Sequence, residues 1–304
     1  MNLYFTTLSG FSFHGDSSLI SQNTFFESYK GNVNLIFTSP PFPLNRKKKY
    51  GNLNGEDYIK WLTEIVKTLV PFLTRDGSIV IEVGNSWKKG SPEMSTLSLE
   101  ALINIKKECK LHLCEAFVWY NTAKLPGPAE WVNIRRVRVK DSFTHIWWFS
   151  KTPNPKADNR KVLAEYSNSM KKLLKSQKYN SGPRPSEHHI TEESFLSNND
   201  GAIPSNVLVS SNTVSNTAYQ VYCKNKSIPT HPARMPKEIP EFFIKMLTDQ
   251  GDVVLDPFGG SNTTGEIAET LNRRWLSVEM NEEYIKGSVG RFSKIEYGAG
   301  ISYE

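Results

Sequence analysis

The segment from Gly251 to Met280 constrains the fold of this chain more than any other. An apolar run, GDVVLD, ends at Asp256, and a glycine turn, FGGS, then leads into a helical pattern, NTTGEIAETLN. A second apolar run, RWLSVEM, follows and carries Glu279 near its end. This order predicts a strand, a tight turn, a helix and a second strand. The N-terminus of the helix and the acid at the end of the second strand suit a nucleotide-type ligand. Because the turn is neither GxGxxG nor a P-loop, an ordinary tight turn of an α/β protein is the alternative.

Strand and helix patterns alternate in two separate parts of the chain. Residues 1–150 contain apolar runs that read as strands and one long amphipathic pattern, 56–73. After residue 229 the alternation returns, with a helical pattern at 238–248 before the unit described above. Alternation of this kind predicts an α/β fold with a mostly parallel sheet. The predicted strands of the first part are 34–37, 78–84, 115–120 and 145–150.

Residues 151–228 interrupt this order. They are rich in Ser, Asn, Lys and Pro, and their clearest helical pattern is a short one at 166–176. They are expected to form an insert with little core of its own, and a partly disordered linker is the alternative. The predicted organisation is one α/β domain built from 1–150 and 229–304, with the insert between its halves.

The turn that follows the strand 34–37, Ser39-Pro40-Pro41-Phe42, is rigid and poor in hydrogen-bond donors. Proline has no N–H, and the residue before each proline is held extended, so the carbonyl groups of the turn have preset directions. The Ser39 oxygen can also accept, and Phe42 adds a flat surface. These features fit an NH2 group on a flat ring, such as that of a nucleobase. Acceptors that hold its N–H bonds free the nitrogen lone pair and stabilise the positive charge that develops on alkylation. A plain turn at a strand end is the alternative for this motif alone.

Together, TSPPF and, about 218 residues later, DPFGGSNTTG resemble the motifs of the amino-methyltransferases that modify DNA. The amine-activating motif precedes the cofactor motif, as in the circularly permuted beta class of that family. SPP with an aromatic is similar to the N4-cytosine members. The order of KLPGPAEWVNIRRVRVKDS, WWFSKT, RPSEHHI and HPARMPKEIPEFFIKMLT is similar to modification methyltransferases of the PvuII type. The resemblance implies a Rossmann-like methyltransferase sheet with a small target-recognition region inserted at 151–228.

The resemblance assigns a cofactor, S-adenosyl-L-methionine, to the glycine turn. Asp256 and the turn would hold its methionine end, Glu279 would accept from its ribose hydroxyls, and Phe258 and Met280 would enclose its adenine. Asp16 matches the family's acidic position for the adenine amine, with a helix cap as the alternative. The cofactor set implied is Asp16, Asp256, Phe258, Gly259, Gly260, Ser261, Asn262, Thr263, Glu279 and Met280.

By the same resemblance, residues 39–42 would act on the target amine. Glu82, at the end of a predicted strand, is a candidate second acceptor or final proton acceptor, and a structural carboxylate is the alternative. Trp119 and Tyr120 are candidates for lining the base pocket, unless they belong simply to the core. In-line displacement at the methyl carbon requires no covalent intermediate on the enzyme, and therefore no catalytic cysteine.

The charge of the chain favours a polyanionic partner, because 37 Lys and Arg face 31 Asp and Glu and leave a net charge of +6. The resemblance makes this partner double-stranded DNA, whose target cytosine must be flipped out before its amine is reachable. Base reading is assigned to the insert, through residues such as Arg184, Ser186, His188 and His189. The candidates for backbone contact, each of which could instead be a solvated surface charge, are Arg46, Lys47, Lys48, Lys49, Lys124, Arg135, Arg136 and Arg138.

Cysteine usage and the N-terminus predict a cytoplasmic protein. The three cysteines form no CxxC pair, MNLYFTTLSG lacks a leader pattern, and no apolar run reaches membrane-spanning length. No metal is expected, because the six histidines form no ligand constellation. The resemblance implies a bacterial restriction–modification system, with a paired endonuclease that forms no stable complex. The recognition sequence and the oligomeric state are not determined by the sequence.

Three alternatives remain open at this point. N6-adenine methylation presents the same kind of amine beside a ring nitrogen, and Ser39 in place of Asp favours cytosine by association only. A catalytically silent DNA-binding relative on the same scaffold would not bind the cofactor. Methylation of RNA or of a protein glutamine is the third, and glutamine would not explain the basic clusters and the insert.

Overall fold

The computed structural model describes residues 1–42, 55–179, 181–183, 185, 189–191 and 195–299. Within them the strands are β1 (Asn2–Thr6), β2 (Gly10–His14), β3 (Val33–Thr38), β4 (Leu73–Gly84), β5 (His112–Tyr120), β6 (Phe143–Ser150), β7 (Gly182–Pro183), β8 (His189–Ile190), β9 (Val207–Val209), β10 (Val253–Asp256), β11 (Arg274–Glu279) and β12 (Glu296–Tyr297). The helices are α1 (Thr24–Glu27), α2 (Gly55–Leu69), α3 (Leu97–Glu108), α4 (Asn168–Ser176), α5 (Ala218–Asn225), α6 (Glu238–Leu247), α7 (Thr263–Thr270) and α8 (Glu282–Ser288). None of these helices combines the length and apolar character that a bilayer crossing requires.

The larger of two compact units comprises residues 1–157 and 206–304. Its described residues form a ten-stranded sheet in the order β12-β1-β2-β11-β10-β3-β4-β6-β5-β9. The strands from β2 to β4 in this order are parallel to their neighbours, which confirms the predicted α/β fold. In this order β10 from the second half of the chain pairs with β3 from the first, so both halves contribute to one sheet.

The predicted strands 115–120 and 145–150 do not extend the parallel array. They form β5 and β6, which are antiparallel to each other, and β6 is antiparallel to β4. Parallel neighbours need a crossover, usually a helix. The chain between β5 and β6 contains a single π-helical turn, Glu130–Ile134, so it returns as an antiparallel hairpin.

The core lies against both faces of the central strands. Val254 and Leu255 of β10 are fully buried, as expected for a parallel strand covered by helices on both sides. Helix α2 buries Tyr58 and Leu62 on one face, which are one helical turn apart. It ends earlier than the predicted 56–73, because Pro71 cannot continue the helical hydrogen bonds and a 3-10 turn precedes β4.

The smaller unit, residues 158–205, is shorter than the predicted insert 151–228. It contains α4, capped by the Ser167 side chain, and the short antiparallel pair β7 and β8. Residues 206–228 belong to the larger unit, because β9 pairs with β5 and α5 buries Tyr219 and Cys223. A strand of three residues and a helix of eight are too short to stand out as periodic patterns.

Candidate active site

A cavity of about 690 Å³ opens where the parallel strands end at their carboxyl termini. The turn after β3, residues 39–42, and the turn after β10, residues 257–261, both line it. Glu82 of β4 and Glu279 of β11 complete this part of the wall. Parallel strands bring their carboxyl ends to one edge, so two turns separated by more than 200 residues in sequence meet in one crevice.

Asp256 holds the glycine turn in place. Its Oδ1 accepts hydrogen bonds from Thr38 Oγ1 at 2.8 Å and from the backbone N–H of Phe258 at 3.0 Å, and its Oδ2 accepts from Thr264 Oγ1 at 2.7 Å. Burial raises the pKa of this carboxyl, and the three donors oppose that rise. Because Thr38 ends β3 and Thr264 lies in α7, Asp256 ties the two turns of the cavity together.

Two glycines allow the turn its close approach. A Cβ atom on Gly259 would lie 2.0 Å from Ser277 Oγ, and Gly260 has a φ of +52°, where side chains are disfavoured. Glu279 accepts from the backbone N–H of Gly260 and of Asn281, both at 2.7 Å. Burial raises the pKa of Glu279, and these backbone donors oppose the rise. The acid at the end of β11 therefore fixes the turn as well as facing the cavity.

Asn262 is not part of the cavity wall, unlike its predicted neighbours Ser261 and Thr263. It is 1% exposed and caps α7, with its Oδ1 accepting from the Gly265 N–H at 3.2 Å. Asn262 is therefore the N-cap residue of α7 and lies beneath the glycine turn. Sequence reasoning missed Arg291, whose Nη2 donates to Ser261 Oγ at 3.0 Å.

The predicted adenine side of the site also reaches the cavity. Asp16 caps a 3-10 helix, accepting from the Ser18 N–H at 2.9 Å, and it also lines the cavity, so the cap does not remove it from the site. Phe258 and Met280 line it as well. Trp61 was missed by sequence reasoning, and its ring centroid lies 5.6 Å from that of Phe258.

Ser39 and Glu82 form the central polar contact of the other side. Ser39 Oγ donates to Glu82 Oε2 at 2.5 Å. Glu82 is 2% exposed, and burial raises its pKa to about 7, against the opposing effects of Ser39, Thr144 and Lys124. The sequence predicted an accepting role for the Ser39 hydroxyl, and the structure adds this donated hydrogen bond. Donation to Glu82 fixes its orientation and leaves its lone pairs available.

Two buried oxygens beside this contact make no hydrogen bond of ordinary geometry within the described chain, although Thr144 lies close enough to Glu82 to lower its pKa. They are Glu82 Oε1 and Thr144 Oγ1, and both residues line the cavity. Buried polar atoms are nearly always paired, so this pair of oxygens is suited to a polar ligand. Thr144 is the second residue of the antiparallel β6, and nothing in its local sequence pointed to the site.

Flat surfaces flank the acceptor turn. The Phe42 ring lies so close to Gly84 that a Cβ there would be 2.6 Å from the ring. Trp119 lines the cavity, and its Nε1 donates to the Ser210 carbonyl at 3.0 Å. Tyr120 is not part of the wall and is 37% exposed.

The predicted DNA contacts fall into three groups. Lys124 lies in the cavity wall, with its Nζ 3.8 Å from Asp141 Oδ2. Arg135 and Arg136 are exposed on the segment between β5 and β6, and Arg135 lies 5.1 Å from the Trp131 ring centroid. The predicted contacts that lie outside the described residues are Arg46, Lys47, Lys48, Lys49, Arg184, Ser186 and His188. The described chain contains no cluster of three His, Cys, Asp or Glu side chains suited to a metal.

A sequence model of the DNA methylase family matches residues 33–289. The chain belongs to this family. The type II methyltransferase M.PvuII of Proteus hauseri is 46% identical to this DNA methylase over 290 residues, which cover 95% of the chain and 85% of the relative. The DNA adenine methyltransferase YhdJ of Escherichia coli (strain K12) is 24% identical over 85% of the chain and 76% of the relative.

Solved structures show the same fold. The structure described as PvuII DNA methyltransferase (cytosine-N4-specific) covers 98% of this DNA methylase and 89% of its own chain, with a TM-score of 0.76 and 40% identity. The M1.HpyAVI–SAM complex covers 93% and 98%, with a TM-score of 0.56 and 18% identity. The second likeness concerns the fold alone.

Proposed function

We propose that this DNA methylase transfers a methyl group from S-adenosyl-L-methionine to the N4 amine of a cytosine flipped out of duplex DNA. The observation that carries the proposal is the shared cavity, in which the acceptor turn 39–42 and the glycine turn 257–261 lie together. The 46% identity to a type II methyltransferase, and the likeness to a structure described as cytosine-N4-specific, support cytosine as the target.

The glycine turn fits S-adenosyl-L-methionine. Gly259 has no room for a side chain, so its backbone can approach a ligand closely. A carboxylate can accept about four hydrogen bonds, so Glu279 keeps capacity for two ribose hydroxyls beyond its backbone donors. Asp16, Phe258 and Met280 complete this wall with one acid and two apolar side chains. When bound, the cofactor supplies a methyl group activated by a sulfonium.

Ser39 and the carbonyl of Pro40 would accept the two N–H bonds of the target amine. This frees the nitrogen lone pair, and it also places negative density where positive charge develops. The Ser39–Glu82 hydrogen bond keeps the accepting lone pairs of Ser39 in one orientation. After methylation the cationic nitrogen would lose one proton to Ser39 Oγ, while the hydroxyl proton moves to Glu82 Oε2. A carboxyl with a pKa of about 7 can accept that proton at neutral pH.

The proposal extends to the partner and its setting. Phe42 would stack on the flipped base, and the exposed Arg135 and Arg136 would contact the DNA backbone. The insert, with residues 158–205 as its compact part, would read the recognition sequence. In this setting the protein acts in the cytoplasm and protects host DNA from a paired endonuclease, without a stable complex between the two.

The test is expression of the full chain in a bacterial host whose DNA lacks both modified bases. Digestion of the host DNA to nucleosides, followed by mass spectrometry, identifies the product, and genome-wide sequencing of methylated sites gives the recognition sequence. N4-methylcytosine is expected, and it should be lost in a Ser39→Ala control. N6-methyladenine as the sole product would replace the proposal by its alternative. No cofactor binding by calorimetry at millimolar concentration would favour a silent DNA-binding protein.

A further inference from the structure

An exposed apolar side chain stands directly beside the cavity. Leu125 is 83% exposed, and it follows Lys124, whose side chain lines the cavity. Successive Cα atoms are about 3.8 Å apart, so Leu125 and the exposed Pro126 lie at the rim. We call residues 125 and 126 the Leu125 tip. Single exposed apolar side chains are ordinary on a protein surface, so it is the place of Leu125 beside the cavity that distinguishes it.

The Leu125 tip has a fixed shape. Asn133 Nδ2 donates to the Pro126 carbonyl at 3.3 Å, and the Asp141 N–H donates to the Gly127 carbonyl at 3.2 Å. Pro126 restricts the backbone of its own residue and of Leu125. The tip is therefore presented on a segment that is hydrogen-bonded on both sides.

The same segment is anchored to the cavity wall at its two ends. Asn121 and Ser142 both line the cavity, and the Asn121 N–H donates to the Ser142 carbonyl at 2.9 Å. The backbone N–H of Lys124 donates to the Asn121 carbonyl at 3.3 Å. The tip thus holds a constant place relative to the pocket that would receive the base.

The chemistry of the segment fits DNA. Exposed cations, Arg135, Arg136 and Arg138, share it with the apolar Leu125 tip. Cations suit phosphates, and apolar side chains suit base faces or a gap in the base stack. A mixture of both on one segment argues for duplex DNA rather than for a second copy of this basic chain.

Removing a base from a duplex leaves a gap between its neighbours, and apolar side chains inserted between base steps are a known way to occupy such a space. We propose that the Leu125 tip enters the duplex at the position vacated by the target cytosine. This inference rests on the proposed function, and it assigns Leu125 as a positioning residue that keeps the base in the pocket. The residues adjacent in sequence to Ile134 and Val139 do not line the cavity, so the proposal gives these two side chains no role in positioning the base.

The experiment compares full-length wild-type protein with Leu125→Ala and with Val139→Ala, a matched control that is 86% exposed on the same segment. Single-turnover methyl transfer is measured at saturating DNA on two duplexes carrying a site found by the genome-wide sequencing. In one the target cytosine is paired with guanine, and in the other it lies opposite an abasic site, where no pairing holds it in the stack. Leu125→Ala should lower the rate on the paired duplex about tenfold, the loss expected for one unfilled apolar contact, and should change the rate on the abasic duplex less than threefold.

The outcomes separate the inference from the function beneath it. The inference would be overturned if Leu125→Ala lowered the rate equally on both duplexes. It would also be overturned if Val139→Ala lowered the rate on the paired duplex as much as Leu125→Ala does. In either case, methyl transfer by the wild type would still uphold the proposed function. Transfer to neither duplex by the wild type would overturn both. Sedimentation of the wild type and of Leu125→Ala without DNA tests whether a second copy of the chain covers the tip instead. A dimer that Leu125→Ala dissociates would assign the tip to a second copy and refute insertion into DNA.

Discussion

Replacing Glu82 by Gln should stabilise the folded protein at alkaline pH while impairing its reaction. Burial raises the pKa of Glu82 from 4.5 to about 7, so the folded state prefers the neutral carboxyl. As pH rises from about 4.5 to about 7, the unfolded chain releases this proton while the folded chain retains it, so stability falls across that window. The difference between the two pKa values corresponds to about 3 kcal/mol of unfolding free energy above pH 7. Gln is neutral at every pH and can still accept from Ser39, so Glu82→Gln avoids this cost.

The assay is urea unfolding of both proteins, without cofactor or DNA, from about pH 4.5 to about pH 9. The free energy of unfolding of Glu82→Gln minus that of the wild type should approach zero at the acid end and reach about 3 kcal/mol above pH 8. Other carboxyls titrate alike in both proteins and cancel in this difference. Glu108→Gln, an exposed change at the end of α3, is the matched control for the loss of one carboxyl. A Glu82→Gln difference that stays constant across the window would refute the reasoning.

The catalytic consequence has the opposite sign. The proposed proton transfer needs Glu82 as a carboxylate, so kcat/KM of the wild type should rise with pH through about 7 and then level off. Glu82→Gln cannot take the proton from Ser39, and a loss of about 100-fold or more is expected for a missing proton acceptor. Greater stability with lower activity in one variant would show that the buried carboxyl is retained for the reaction.

Three further predictions concern other parts of the cavity. Ser39→Ala should lower turnover roughly 100-fold with less than about threefold change in cofactor affinity, because the proposed role of Ser39 is to hold the amine. Glu279→Ala should weaken cofactor binding about tenfold or more and spare turnover at saturation, because its proposed role is to hold the cofactor. Calorimetry and single-turnover kinetics separate the two effects, and equal losses in both quantities would contradict the assignment. Lys124→Met removes a charge that lowers the pKa of Glu82, so the rising limb of the pH–rate profile should move to higher pH. A limb that does not move would show that the Lys124 ammonium does not act on Glu82. Gly84→Ala places a Cβ 2.6 Å from the Phe42 ring and should displace the ring. Methyl transfer should fall roughly tenfold while cofactor affinity stays the same. Unchanged transfer would mean that the ring does not position the base.

Much of the site could be predicted because its two turns carry local chemistry. Consecutive prolines after an apolar strand create a donor-poor turn wherever they occur, and paired glycines before a helix allow close approach. Each turn also follows a buried strand. The resemblance to the DNA amino-methyltransferases linked the two turns, and the structure places them in one crevice because parallel strands end at one edge of the sheet.

Three features of the site had no such signal. Thr144 and Lys124 come from the antiparallel β6 and from the segment before it, and their approach to Glu82 depends on strand pairing. Asn262 was predicted to bind the cofactor from its place in the motif, yet it is buried and its side-chain Oδ1 caps α7. The contribution of residues 206–228 to the larger unit was also missed, because elements this short have no readable period.

The sequence by itself determined the two turns, the strands before them and the kinds of ligand that each turn suits. These properties depend on residues adjacent in the chain, which is where periodicity and turn chemistry act. Only the tertiary structure decided that Ser39 donates to Glu82, and that burial brings the pKa of this carboxyl near neutrality. Hydrogen-bond direction and desolvation depend on atoms that arrive from distant strands. For this protein, that is the difference between a turn that can bind an amine and a site that can accept its proton.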